Sequence, residues 1–259
     1  MRTFSPGRFR VPLAFAGAIV LLLGIFTSLL PEWVALVVFA ISLAPYLRLA
    51  GPRDRAPAAL ALPVTGRWRA LNSPASRVPS HGLHAYGQTF AIDLVHEPTV
   101  GSREAGVWWP PAKRPAAFPG FGADVRSPAD GVVVTVHDRE RDHWSRTGWL
   151  ALPFLVVESA ARELTGPGRI LGNHVVLDLG GGVYAALAHL QRRSVRVRPG
   201  DVVRAGTVIA NCGNSGNSSE PHLHLQLMDH PRAVLADGIP FTFAGAGLPR
   251  NGEVLVAPE

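Results

Sequence analysis

Cysteine is almost missing from this chain: Cys212 stands alone among 259 residues. One thiol excludes an intramolecular disulfide and a cysteine-rich zinc ribbon. Any zinc site must therefore be assembled from histidine and carboxylate. Lysine is equally scarce, with Lys113 the only one, so arginine carries the formal net charge of +6. The arginines are scattered and form no basic helix or aromatic-interleaved patch, which excludes a nucleic-acid partner. A positive balance of this kind remains compatible with anionic lipid or with an acidic polymer such as cell wall.

Charge is also absent from Val11 to Leu30, a run of twenty residues. That is about the length needed to cross a ~30 Å hydrocarbon core as a helix. A second apolar block, Trp33 to Leu47, follows Pro31-Glu32, and Arg48 can extend it by snorkelling. The expectation is one or two transmembrane helices within residues 1–50. The apolar run is too long for a cleaved signal peptide. Arg2, Arg8 and Arg10 precede the first block, and Arg48, Arg53 and Arg55 follow the second. Two spans with those flanks would leave both ends in the cytoplasm. One span, with the second block lying at the outer interface, would place the rest of the chain outside.

Residues 51–73 are rich in Pro, Ala and Arg and read as a linker with an approach strand, Thr65 to Leu71. From about His81 onward, short β-branched runs alternate with Gly, Pro, Asn and Asp. FAIDLVH, GVVVTVHD, HVVLDLGGGVYAALAHL and SVRVRPGDVVRAGTVIANCG are the clear strands. The fold class is thus mainly β, an antiparallel sheet or sandwich over residues 74–245, preceded by the membrane helices and followed by a tail, 246–259. Residues 138–172 interrupt the pattern as an insertion over one sheet edge, with a short helix expected over Ala151 to Leu164. Gly180 to Gly182 reads as a hairpin turn.

Four stretches bring histidine or carboxylate onto strands: His81, His84, Asp93 and His96 in HGLHAYGQTFAIDLVH; His174 and Asp178 in GNHVVLDLG; His189 in YAALAHL; and His222 and His224 in PHLHLQ. In the last, Leu223, Leu225 and Leu227 share one face of a strand, and His222, His224 and Gln226 share the other. The leucine face belongs to a core. The histidine face has to open to water, a metal or a cleft. His174 and Asp178 read as a solvated face, and Cys212 as a small buried residue.

The ordered set Ala-Asp-Gly before a Val run, Tyr-x4-His-Leu, Pro-Gly-Asp-x-Val-x-x-Gly and Gly-Asn-Ser-Gly-Asn before Pro-His-Leu-His resembles the zinc peptidase domain of the lysostaphin/LytM type, the M23 family. The resemblance implies a LytM-type fold, a zinc ion, and hydrolysis of amide bonds in peptidoglycan peptides. It implies Asp93 and His224 as metal ligands and His189 and His222 as catalytic groups. The remaining ligand usually lies four residues before the aspartate, where this chain has Thr89. His84 is the expected replacement, delivered by a break at Gly87; His81 is the second choice and His96 the third. The departure at Thr89 leaves an alternative, a non-catalytic relative that regulates or scaffolds cell-wall hydrolases. The rival reading of RPGDVVRAGTVI as a biotinyl-type carrier hairpin fails, because Lys113 lies far from it in a proline-rich loop. A wall substrate requires an extracytoplasmic domain, against the flanking arginines.

Overall fold

The computed structural model describes residues 10–27, 29–44, 55–99, 112–146, 148, 151, 154, 158–159, 162 and 168–258. Much of the 138–172 insertion, including the helix expected over Ala151 to Leu164, lies outside the described residues. So do four of the six flanking arginines, Arg2, Arg8, Arg48 and Arg53.

Two helices come first, α1 (Arg10–Phe26) and α2 (Glu32–Leu43). The uncharged run is not one continuous helix. At about 1.5 Å per residue, α1 is roughly 25 Å long and α2 roughly 18 Å. Among the described residues no helix is long and apolar enough to cross a membrane. The expected transmembrane helices are corrected to this shorter pair. Thr27 turns its hydroxyl back onto the Leu23 carbonyl, and Pro31, extended at ψ 136°, starts α2 in a new direction.

The strands follow in order: β1 (Ala58–Leu60), β2 (Gly66–Leu71), β3 (Ile92–His96), β4 (Asp124–Arg126), β5 (Gly131–His137), β6 (His174–Asp178), β7 (Tyr184–Ala188), β8 (Val202–Val203), β9 (Val208–Asn211), β10 (Leu223–Met228), β11 (Gly238–Ile239), β12 (Phe241–Phe243) and β13 (Val254–Ala257). The main sheet has nine strands in the order β13-β2-β3-β10-β7-β6-β5-β8, with β11 alongside β10. All of its pairings are antiparallel. The mainly β, antiparallel expectation therefore holds, with one small parallel pair, β1 on β12, beside it. The approach strand is β2, and it lies inside the sheet between β3 and β13.

Gly180 to Gly182 joins β6 to β7 as expected, all three at positive φ, where a side chain would be strained. Period-two alternation sorts β10. Leu223, Leu225 and Leu227 join Ile92, Leu94, Ala185 and Leu187 in the principal core. Burying each leucine is worth roughly 1.5–3 kcal/mol. Cys212 lies in the same core, and burial pushes its thiol well above the ordinary value. His174 departs from expectation: it is buried, stacked on His137 at 5.7 Å, with Nδ1 2.7 Å from the Gly172 carbonyl.

Candidate metal centre and its flanking histidines

The centre forms where β10 lies between β3 and β7. In register, His224 stands opposite Asp93 on one side and Ala188 on the other. Directly opposed residues of an antiparallel pair project to the same face. Asp93 and His224 therefore meet on the face opposite the leucines, and the small Ala186 and Ala188 leave space beside them. Both polar residues are buried. His224 Nδ1 is 2.8 Å from Asp93 Oδ1, and His224 Nε2 is 2.8 Å from Gln226 Oε1.

The second imidazole beside the carboxylate belongs to His81, whose Nε2 is 3.1 Å from Asp93 Oδ2. The reason lies in the loop before β3. The Ser80 backbone N–H donates to the Thr89 carbonyl at 2.9 Å, closing residues 80–89 on themselves. Ser80 Oγ, 3.0 Å from His81 Nδ1, turns that ring inward. Potential ligand atoms of His81, Asp93 and His224 all lie within 4.8 Å of one another.

The other two histidines of this stretch go elsewhere. His84 Nδ1 lies 3.2 Å from Thr89 Oγ1. His96 stacks on Trp68 at 4.7 Å and points Nδ1 at the Pro119 carbonyl. The geometry thus gives the place expected for His84 to His81. Thr89 itself is not on the strand but in a 3-10 turn, Gln88–Phe90.

His189 and His222 converge from two loops, with ring centroids 4.7 Å apart. Each has its Nδ1 on a main-chain carbonyl: His189 on Ser215 at 2.9 Å and His222 on Glu220 at 2.8 Å. In the neutral ring that contact makes Nδ1 the donor and leaves the lone pair on Nε2. His222 Nε2 is 3.6 Å from Asp93 Oδ1, so this nitrogen faces the carboxylate. His189 is fixed at φ +60°, a strained setting for a non-glycine residue. Its N–H on the Leu171 carbonyl and its carbonyl on the Gly213 N–H hold it there, each at 3.0 Å.

Electrostatics follow from burial and proximity. Burial alone would raise the Asp93 carboxyl. The His81 and His222 imidazoles and the hydrogen bond from His224 outweigh it and hold Asp93 well below the usual carboxylate range. Burial would lower His224, but its bond to Asp93 raises it. Burial, reinforced by His222 and His224, keeps His189 well below the usual imidazole value and hence neutral.

Residues 156–235 match the model of peptidase family M23. That stretch contains His189, His222 and His224; His81 and Asp93 precede it. Among solved structures, the chain aligns with the catalytic domain of the antimicrobial peptidase lysostaphin from Staphylococcus simulans at 17% identity. The alignment covers 70% of this chain and 88% of that one, with a TM-score of 0.34. A variant catalytic domain of the prophage-encoded M23 protein EnpA from Enterococcus faecalis aligns at 17%, over 73% and 93%, with a TM-score of 0.35. A zinc-containing peptidase from Vibrio cholerae aligns at 21%, over 72% and 40%, with a TM-score of 0.33. Likeness this distant transfers neither substrate nor site.

The donor set of His81, Asp93 and His224 suits zinc on its own chemistry. Two imidazoles and a carboxylate form a common protein ligand set for this ion, and they leave a fourth position open. Supporting contacts are also present. Gln226 orients His224, and Asn72 Nδ2 donates to Asp93 Oδ2 at 2.8 Å. Asn72 and the supporting role of Gln226 escaped the sequence reading. Gln226 at least shares the histidine face by parity; Asn72 gave no local signal.

Proposed function

We propose that this protein is a zinc-dependent endopeptidase that hydrolyses amide bonds of peptidoglycan peptides. The observation that carries the reading is the pair His189 and His222. Both rings are anchored through Nδ1 to backbone carbonyls, beside the only cluster of potential metal ligands among the described residues. A structural zinc site has no need of two further oriented imidazoles.

His81, Asp93 and His224 would hold the ion, which supplies a Lewis acid that polarises a carbonyl and acidifies water. His189, kept neutral, accepts a proton at Nε2. His222 presents Nε2 from the neighbouring loop, and once that nitrogen has taken up a proton it donates to the developing oxyanion or to the leaving nitrogen. The β-sheet frame spares these rings the entropy of being ordered at each turnover. The substrate lies outside the cytoplasmic membrane, and the proposal places the domain there.

The test pairs zinc content with hydrolysis of purified muropeptides. Wild type should hold one zinc and cleave. His189→Ala and His222→Ala should retain zinc and lose roughly 100-fold or more in rate, the scale of positioned acid–base catalysis. A wild-type protein that holds no zinc would favour the regulatory, non-catalytic reading.

A further inference from the structure

The hairpin of α1 and α2 is packed inside out for a protein in water. The contacts Gly17 with Ser42 and Gly24 with Ala35 run in opposite senses along the two helices, so the pair is antiparallel. A methyl group added at Gly17 would overlap Ser42, and one at Gly24 would overlap Ala35. These four small residues are the only buried ones among the described residues of the hairpin. Ser42 Oγ is satisfied by the Phe39 carbonyl at 2.6 Å.

The large side chains point the other way. Phe15, Leu22, Ile25, Phe26, Trp33 and Ile41 are each more than half exposed. They occupy both helices and several directions around each, not one stripe. A protein partner covers a face. Only a solvent surrounds a hairpin, and an apolar solvent makes this pattern favourable. In lipid, helices gain nothing by hiding leucine from one another. They associate through small residues that let the backbones approach.

The charges agree. From Val11 to Leu47 the only charged residue is Glu32, beside Trp33 at the tip. Arginines bracket the open end in sequence, at Arg2, Arg8 and Arg10 before α1 and Arg48, Arg53 and Arg55 after α2. Arginines next to an apolar segment suit anionic headgroups, and an amphipathic tryptophan suits the opposite interface.

We infer that the α1–α2 hairpin is embedded in the apolar interior of a lipid bilayer, entering and leaving by the same face. This requires no single crossing helix and is independent of the peptidase reading. It fixes one relationship: the N-terminus and the β-domain share a side of the membrane.

The experiment uses the full chain with phosphatidylcholine vesicles, with and without phosphatidylglycerol. The protein should float with both and should resist high salt and alkaline carbonate, because burial rather than charge holds it. Ser5→Cys and Ala56→Cys should react alike with a membrane-impermeant maleimide in sealed vesicles. Leu22→Arg, which puts a charge on the outward surface, should reduce the vesicle-bound fraction roughly tenfold or more. Gly17→Leu, which disturbs only the seam, should still float. The β-sheet circular-dichroism signal reports whether each variant has kept its β-domain folded. Three results would overturn the inference: a lipid-free full chain, as monomer or oligomer; release by salt alone; or opposite accessibility of the two cysteines.

Discussion

Gln226 Oε1 accepts from His224 Nε2 at 2.8 Å, while Gln226 Nε2 donates to the Tyr86 carbonyl at 2.7 Å. The amide is wholly buried, so its orientation is set at both ends. It thereby ties the ligand strand to the loop that carries His81. Gln226→Leu removes the acceptor of the buried His224 Nε2, at a cost of about 1–3 kcal/mol. It also frees the His224 ring to rotate. Zinc affinity, measured by chelator competition, should fall about 10- to 100-fold, the usual effect of losing such a support. An unchanged affinity would mean that Asp93 alone orients His224.

The identity of the third ligand is tested by two substitutions three residues apart. His81→Ala should abolish stoichiometric zinc after dialysis. His84→Ala should keep it, because His84 sits on Thr89 and not on Asp93. Zinc lost in His84→Ala and kept in His81→Ala would reverse the assignment made from geometry.

Where the sequence was legible, a local period decided the matter. PHLHLQ alternates strictly, and the leucines and histidines separate onto the two faces as the pleat requires. The position of His81 was not legible, because counting strand parity backward from Asp93 requires a strand that reaches Thr89. The strand begins only at Ile92, and the 3-10 turn at Gln88–Phe90 makes such counting meaningless. Asn72 reaches the site because Leu71 pairs with Asp93 across β2 and β3, a register that no local pattern encodes. The apolar run of twenty residues has the expected composition but a shorter element, since α1 ends at Phe26 and the next helix begins only at Glu32, beyond the run.

Gly172 and Gly216 bring two backbones into contact beneath His189. Both have positive φ, at +62° and +71°, and a methyl group on either would overlap the other's main chain. Leu171 and Ser215, their immediate neighbours, bind the His189 N–H and ring. Gly216→Ala should therefore destabilise the domain by at least about 1–3 kcal/mol, the cost of one strained backbone setting. It should also lower the rate by displacing the ring, with zinc content unchanged. Denaturant midpoints and muropeptide turnover check the two parts separately.

Stability should decline on mild acidification even away from the metal centre. Burial lowers His174 and His143 below the usual imidazole value. His174 keeps one ring nitrogen on the Gly172 carbonyl, and His143 keeps Nε2 on that of Gly216 at 2.9 Å. The unfolded chain takes up protons near pH 6.5, while the folded rings resist until a lower pH. The unfolded state therefore binds more protons in that window, and stability falls as pH drops from the free value toward the depressed ones. Above about 6.5 both states are neutral, and this contribution stays whole. Urea midpoints taken across that window should fall with pH, and His174→Gln should flatten the dependence. A flat wild-type profile would mean that these rings are as easily charged in the fold as in water.

Zinc uptake should show its own pH dependence, set by a proton. His224 directs both ring nitrogens at acceptors, Asp93 and Gln226, and its pKa is raised. A cation bound between His224 and Asp93 takes the place of the proton on Nδ1. Binding then releases that proton, and apparent affinity should weaken about tenfold per unit as pH falls below the raised value. Above that value the ring is already neutral and the dependence should vanish. Calorimetry in buffers of different ionisation enthalpy counts the protons directly. Zinc binding without proton release on the acid side would show that the ion does not engage His224 Nδ1.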